Sequence, residues 1–157
     1  QNALIDASQL TFALLSAHLI IFWLSQDSNV TPPVCLTAFT AAAIAKTPPM
    51  ATGLMSWKIA KALYIVPLLF AYTPLIGGSA IEIAQVFFFS LCGLYATSAV
   101  FQGHLEEPLN WSMRGALIIA AIAMFWPQAL LLNAVGLMAF LAVFFLNVRS
   151  TKSTATA

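Results

Sequence analysis

Charge is what this sequence has least of, with only 7% of its 157 residues being Asp, Glu, Lys or Arg. Soluble domains carry about 25% charged residues, and they need that charge to stay dissolved. Six Lys and Arg against five Asp and Glu cannot coat a globule of this length, and 61% of the chain is hydrophobic. A soluble domain is excluded, and an integral membrane protein with several spans is implied. The near-zero net charge of +1 comes without a basic run, so the electrostatic footprint of a nucleic-acid binder is missing. Cys35 and Cys92 lie far apart in apolar context, which supplies neither a disulfide framework nor metal-ligand spacing.

Catalytic signatures are missing as well: there is no HExxH, no G-x-S-x-G elbow and no phosphate loop. An enzyme inside a membrane needs a convergent set of His, Asp or Glu, and only Asp27 and His18 approach one, so no enzyme and no cofactor is expected. The opening QNALIDASQL has no basic region ahead of an apolar one, as a secretory signal would. It begins on Gln rather than Met, as a fragment or a processed product would.

What is present is a series of five apolar segments, an all-α pattern. They run from about Leu10 to Leu24, Val34 to Lys46, Ile59 to Tyr72, Ile81 to Phe101 and Gly115 to Asn147. The fourth is long enough for a hydrocarbon core of about 30 Å. In the fifth, Pro127 within WPQ (126–128) interrupts the run, which predicts a short helix followed by a full one. The connections are 46–58, 73–79 and 102–114, with a polar tail over 150–157. If the third and fourth segments cross once each and the fifth is a hairpin, Lys46, Lys58, Lys61, Arg114, Arg149 and Lys152 share one face. The positive-inside rule makes that face, with loop 46–61 and the C-terminus, cytoplasmic.

The first two segments rise only about 22 and 20 Å, too little for either to cross alone. Together they suit one crossing, a discontinuous helix over 10–46 broken at 27–33, though a re-entrant hairpin is the other option. The break, DSNVTPP, has features suited to such a site. Pro32 and Pro33 remove two N–H donors and push Thr31 away from helical geometry. Carbonyls of the turn before them lose helical partners, and Ser28, Asn29 and Thr31 add side-chain oxygens, a set that suits a hard cation such as Na⁺. Proline suits the first turn of the helix that would start near Val34, whose positive end would face the break and seat a carboxylate. Asp27 at membrane depth is costly and suggests function. The plainer alternative is a loop between two short interfacial helices, with Asp27 as a surface cap.

The ordered series DSNVTPPV, TAFTAAAIA, PMATG and IVPLLFAYTP, followed by FQGHL, Arg114 and a proline-broken helix, resembles the C-terminal part of the large permease subunit of tripartite ATP-independent periplasmic (TRAP) transporters, closest to the fused TAXI type. The resemblance covers essentially the whole chain. It implies an inverted-repeat ion-transporter fold in a bacterial inner membrane, importing small organic anions by symport with Na⁺. A periplasmic binding protein would deliver the substrate. On that template Ser28, Asn29, Val30 (through its carbonyl) and Thr31 sit on a sodium site, Asp27 flanks it, and Pro32 and Pro33 shape it. Residues 1–76 would close the transport domain, 77–149 would add membrane helices, and 150–157 would be a tail. The family's Gly-rich hairpin and first repeat are missing from this sequence. The partners implied are therefore the N-terminal part of the same permease, the binding protein, the anion and the bilayer. Two alternatives stay open: a Na⁺/carboxylate symporter working without a binding protein, and a non-transporting scaffold subunit.

Among other residues, His18 lies mid-helix and suits packing better than proton transfer. His104, Glu106 and Glu107 beside Pro108 suit solvated interfacial positions. Glu82 complements a helix N-terminus. Trp57, Trp111 and Trp126 suit interfacial anchoring, and Trp23 is expected to pack over the break.

Overall fold

The computed structural model describes residues 7–127 and 129–154, the last five by backbone alone. Gln128 of the WPQ interruption and residues 155–157 of the expected tail lie outside them. The described residues form α1 (Ala7–Asp27), α2 (Leu36–Ala45), α3 (Pro49–Ala60), a 3₁₀ segment (Lys61–Ile65), α4 (Val66–Tyr72), α5 (Ala80–Gln102), α6 (Trp111–Phe125) and α7 (Leu130–Thr154). Four stretches are long and apolar enough to cross a membrane: Ala7–Asp27, Pro49–Tyr72, Ala80–Gln102 and Leu130–Arg149. The chain divides into two compact units, residues 1–84 and 85–157.

Three expectations need correction. The first segment is not too short to cross: α1 has 21 residues and rises about 31 Å. Ser8, Gln9, Ser25 and Gln26 are polar but carry intact backbone donors, so they do not end a helix, whereas Pro32 has no N–H for the Ser28 carbonyl. The interruption therefore covers 28–35 rather than 27–33, with Asp27 as the last residue of α1. α2 starts at Leu36, so both prolines precede the helix instead of occupying its first turn.

The third correction concerns 46–61, which is not a loop. α2 ends on Lys46 in the left-handed conformation, with Thr47 N–H donating to the Ala42 carbonyl at 2.9 Å. Pro48 is extended and Pro49 opens α3, where a fixed φ and a missing donor cost nothing. Helical structure then continues to Tyr72, so Lys58 and Lys61 lie within a helix rather than at its start. Pro67 leaves Leu63 without its normal helical donor, and the backbone over Lys61–Ile65 tightens to 3₁₀.

In the first unit α1 packs on α4 and α2 on α3, so the chain from α3 to α4 runs back along α2 and α1. The contacts step along them in register. Phe12 lies against Gly77, Trp23 meets Phe70 edge-on at 6.2 Å between ring centres, and Cys35 meets Gly53. A Cβ at Gly53 would stand 2.9 Å from Cys35 Sγ, so glycine is what lets α3 approach the interruption. α5 opens with a reciprocal cap. The Ser79 N–H and hydroxyl both donate to the Glu82 carboxylate at 2.8 Å, as the placing of Glu82 suggested.

In the second unit the core is built from Phe89, Ala96, Leu117, Ala120, Met124 and Phe140. α6 and α7 pack on each other as a hairpin. Small residues set the spacing: a Cβ at Gly136 would stand 2.8 Å from the Ala120 carbonyl oxygen. Two buried asparagines on α7 hold the connections. Asn147 accepts from Glu107 N–H at 3.0 Å and donates to the Glu107 carbonyl at 3.3 Å. Asn133, with its amide turned as its neighbours require, donates to the carbonyls of Ala123, Trp126 and Ala129 within 3.2 Å. Gly103 ends α5 at φ +76°, and a side chain there would overlap the Arg114 guanidinium.

Candidate functional site

The two interruptions in the first unit lie side by side. The Thr31 hydroxyl, in segment 28–35, is hydrogen-bonded to the Tyr64 hydroxyl of the 3₁₀ segment. Trp23 Nε1 donates to the Leu63 carbonyl at 3.1 Å, supplying a donor where Pro67 offers none. Trp23 thus lies against the neighbouring 3₁₀ segment and Phe70, rather than over the 28–35 turn where it was expected.

Most oxygens of the turn are engaged within the turn itself. The Ser28 hydroxyl donates to the Ser25 carbonyl at 2.6 Å, and Asn29 Nδ2 donates to the Gln26 carbonyl at 3.2 Å. The Asp27 carbonyl accepts from Val30 N–H at 3.2 Å and from the Thr31 hydroxyl at 2.7 Å. The Asn29 carbonyl accepts the Thr37 hydroxyl at 2.7 Å, and the Thr31 carbonyl accepts Cys35 N–H at 3.1 Å. The expectation that unwinding frees this turn's carbonyls holds in part: of the four before Pro32, those of Asn29 and Thr31 are taken, while that of Ser28 accepts no hydrogen bond among the described residues. The Val30 carbonyl accepts no hydrogen bond among the described residues.

Asp27 is the exception among the side chains. It is 7% exposed, and its Oδ2 has no hydrogen-bond partner. A buried carboxylate oxygen without a partner costs several kcal/mol, of order ~3, unless a proton or a cation joins it. Asn29, Val30, Thr31 and Pro32 are half-buried, while Ser28 and Pro33 are exposed. Asp27, Asn29 and Thr31 thus share one turn, with Asp27 buried, the other two half-buried and Ser28 exposed. α2 begins at Cys35 without a side-chain cap, leaving its first N–H groups directed towards the interruption.

Tyr64 and the Leu63 carbonyl were not picked out from the sequence. The signal was there in Pro67, which cannot donate to the fourth residue before it; the Leu63 carbonyl takes the Val66 N–H instead and has a lone pair left for Trp23. Of the other residues considered, His18 Nδ1 lies 2.7 Å from the Leu14 carbonyl, a local contact on α1. No three His, Cys, Asp or Glu side chains come together to hold a metal ion among the described residues. Any ion here would be held by the carboxylate, hydroxyl and carbonyl oxygens of one turn.

Helices interrupted within a membrane are a recurring feature of proteins that move solutes. Residues 6–76 match the family model described as tripartite ATP-independent periplasmic transporter, DctM component. The match supports the TRAP large permease family and a transport role for this part of the chain. It spans α1 to α4 and both interruptions, while α5 to α7 lie beyond it. Comparison with curated proteins gives no match, and comparison with solved structures gives none.

Proposed function

We propose that this chain is part of a TAXI-type TRAP permease that couples uptake of a small organic anion, a carboxylate, to the sodium gradient. Sodium and the anion are its cargo. The observation that carries the reading is the buried, unpartnered Asp27 oxygen at the head of an unwound segment rich in hydroxyls. Unwound backbone within a membrane is tolerated where it is buried in protein or lines a water-filled cavity. The ten residues of α2 rise about 15 Å, half of a hydrocarbon core of about 30 Å. With turn 46–48 at the cytoplasmic face of the inner membrane, the interruption would fall at mid-depth, where secondary transporters hold coupling ions, and only about half of α1 would lie within the core. Ser28, Asn29, the Val30 carbonyl and Thr31 are the proposed ion contacts beside Asp27. The uncapped start of α2 suits the anion's carboxylate. A periplasmic binding protein and the N-terminal part of the permease complete the assembly.

The test is uptake into proteoliposomes by the complete permease with its binding protein, comparing wild type with Asn29→Ala and Thr31→Ala. Each substitution is expected to lower uptake and to raise the sodium concentration needed for half-maximal rate about tenfold, one charge-assisted contact's worth. Unchanged sodium dependence in both would overturn the reading. It would favour the second one, a scaffold in which α1, long enough to cross alone, delivers 28–35 to the membrane surface as a plain loop.

A further inference from the structure

The proton count at Thr31 assigns a role to Tyr64. Thr31 has one hydroxyl proton and gives it to the Asp27 carbonyl at 2.7 Å. In the Thr31–Tyr64 pair Tyr64 must then be the donor and Thr31 the acceptor. A hydroxyl oxygen has two lone pairs, so one on Thr31 is taken by Tyr64 and one remains. With the Thr31 proton fixed on one side and Tyr64 fixed on another, the direction of the remaining lone pair is set.

The 3₁₀ segment that carries Tyr64 is itself held on two sides. Pro67 tightens it, and Trp23 takes the Leu63 carbonyl, which ties the backbone beside Tyr64 to α1. Across the interruption Gly53 bears on Cys35, whose backbone N–H holds the Thr31 carbonyl at 3.1 Å. The buried unpartnered oxygen of Asp27 belongs to the same turn.

We propose that Tyr64 is a positioning residue of the coupling-ion site, and that 61–65 forms a second wall of that site within this chain. Tyr64 acts by directing the free lone pair of Thr31 at the ion. This inference rests on the sodium reading above and adds to it a residue on a different helix.

The experiment is sodium-dependent uptake by the complete permease with its binding protein, with the amount of each variant in the membrane measured alongside. Tyr64→Phe removes one oxygen and is expected to raise the half-saturating sodium concentration about three- to tenfold. Maximal uptake per permease molecule should stay within about twofold, because a lost positioning contact weakens ion affinity before it slows transport. Thr31→Val should raise the half-saturating concentration at least as much, and Tyr64→Phe in that background should add nothing. Tyr64→Met, flexible enough to refill the ring's space, carries the same expectation if Tyr64→Phe does not accumulate.

If Thr31→Val moves the sodium dependence and the Tyr64 variants do not, the positioning role is wrong and the sodium site stands. A full additional effect of Tyr64→Phe in the Thr31→Val background also overturns it, since Tyr64 would then act by another route. If neither position affects sodium dependence, the sodium reading fails and the role of Tyr64 fails with it.

Discussion

At the residue scale the side chains that matter most are polar ones placed where an apolar residue would pack more cheaply. Asn147 is 2% exposed and holds both the N–H and the carbonyl of Glu107. Asn147→Leu would take the partner from the Glu107 N–H, while the Glu107 carbonyl keeps the Leu105 N–H at 3.2 Å, and the expected loss is about 1–3 kcal/mol, read as a lower melting temperature in detergent. Asn147→Asp keeps an acceptor for the Glu107 N–H but turns an oxygen towards its carbonyl, so it should recover little. Gly103→Ala meets both a positive φ and the Arg114 guanidinium, and should cost about 1–3 kcal/mol in the same measurement. Arg114 rests over Trp111 at 5.2 Å, so its displacement should also alter the fluorescence of that tryptophan. None of this was legible in the sequence. Composition marks Asn and Gly as loop formers, and nothing in one chain says which loop a distant asparagine will reach.

At the element scale, prolines account for most of what the sequence foretold. Pro32 and Pro33 placed one interruption to within two residues, and Pro127 separated α6 from α7, because a missing N–H leaves its mark without any partner. The continuity of 49–60 was missed for the opposite reason. Thr52, Gly53, Ser56 and Lys58 lower the hydropathy of the stretch, yet each keeps its backbone donor, and Gly is frequent in membrane helices. The 3₁₀ segment was missed because Pro67 sat inside an apolar run and its effect falls four residues upstream. A double-mutant comparison tests that account. Trp23→Phe should cost about 1 kcal/mol in wild type, and distinctly less after Pro67→Ala, which returns a helical donor to Leu63. Equal costs in the two backgrounds would mean that the proline is not what frees this carbonyl.

At the scale of the whole molecule the evidence of charge and of helix length can be set against each other. The positive residues predict one membrane face for turn 46–48 and loop 103–110 and the other face for 73–79. With the native cysteines replaced, Thr47→Cys and Glu106→Cys should react with an impermeant thiol reagent from the cytoplasmic side, and Ala80→Cys from the opposite side. All three positions are exposed. Labelling of all three from one side would refute the alternating course of the helices. The membrane class and the helical fold were legible at once, since charge scarcity and long apolar runs are properties of composition. The candidate turn was legible as DSNVTPP, but its second wall was not, because Tyr64 and Thr31 meet only when two helices lie side by side.

The paired asparagines of α7 bear on how the chain is made. α7 follows α5 and α6 in chain order, and its Asn133 and Asn147 satisfy backbone groups of both preceding connections. During synthesis the chain grows from its N-terminus, so the bend after α6 and the loop after α5 are laid down before their partners exist. The loop around Glu107 can take its final form only once the ribosome has passed residue 147. Any chain ended short of that point would keep the loop's own bonds, Leu105 N–H to the Glu107 carbonyl and Leu109 N–H to the Gly103 carbonyl, but would leave the Glu107 N–H without its side-chain acceptor.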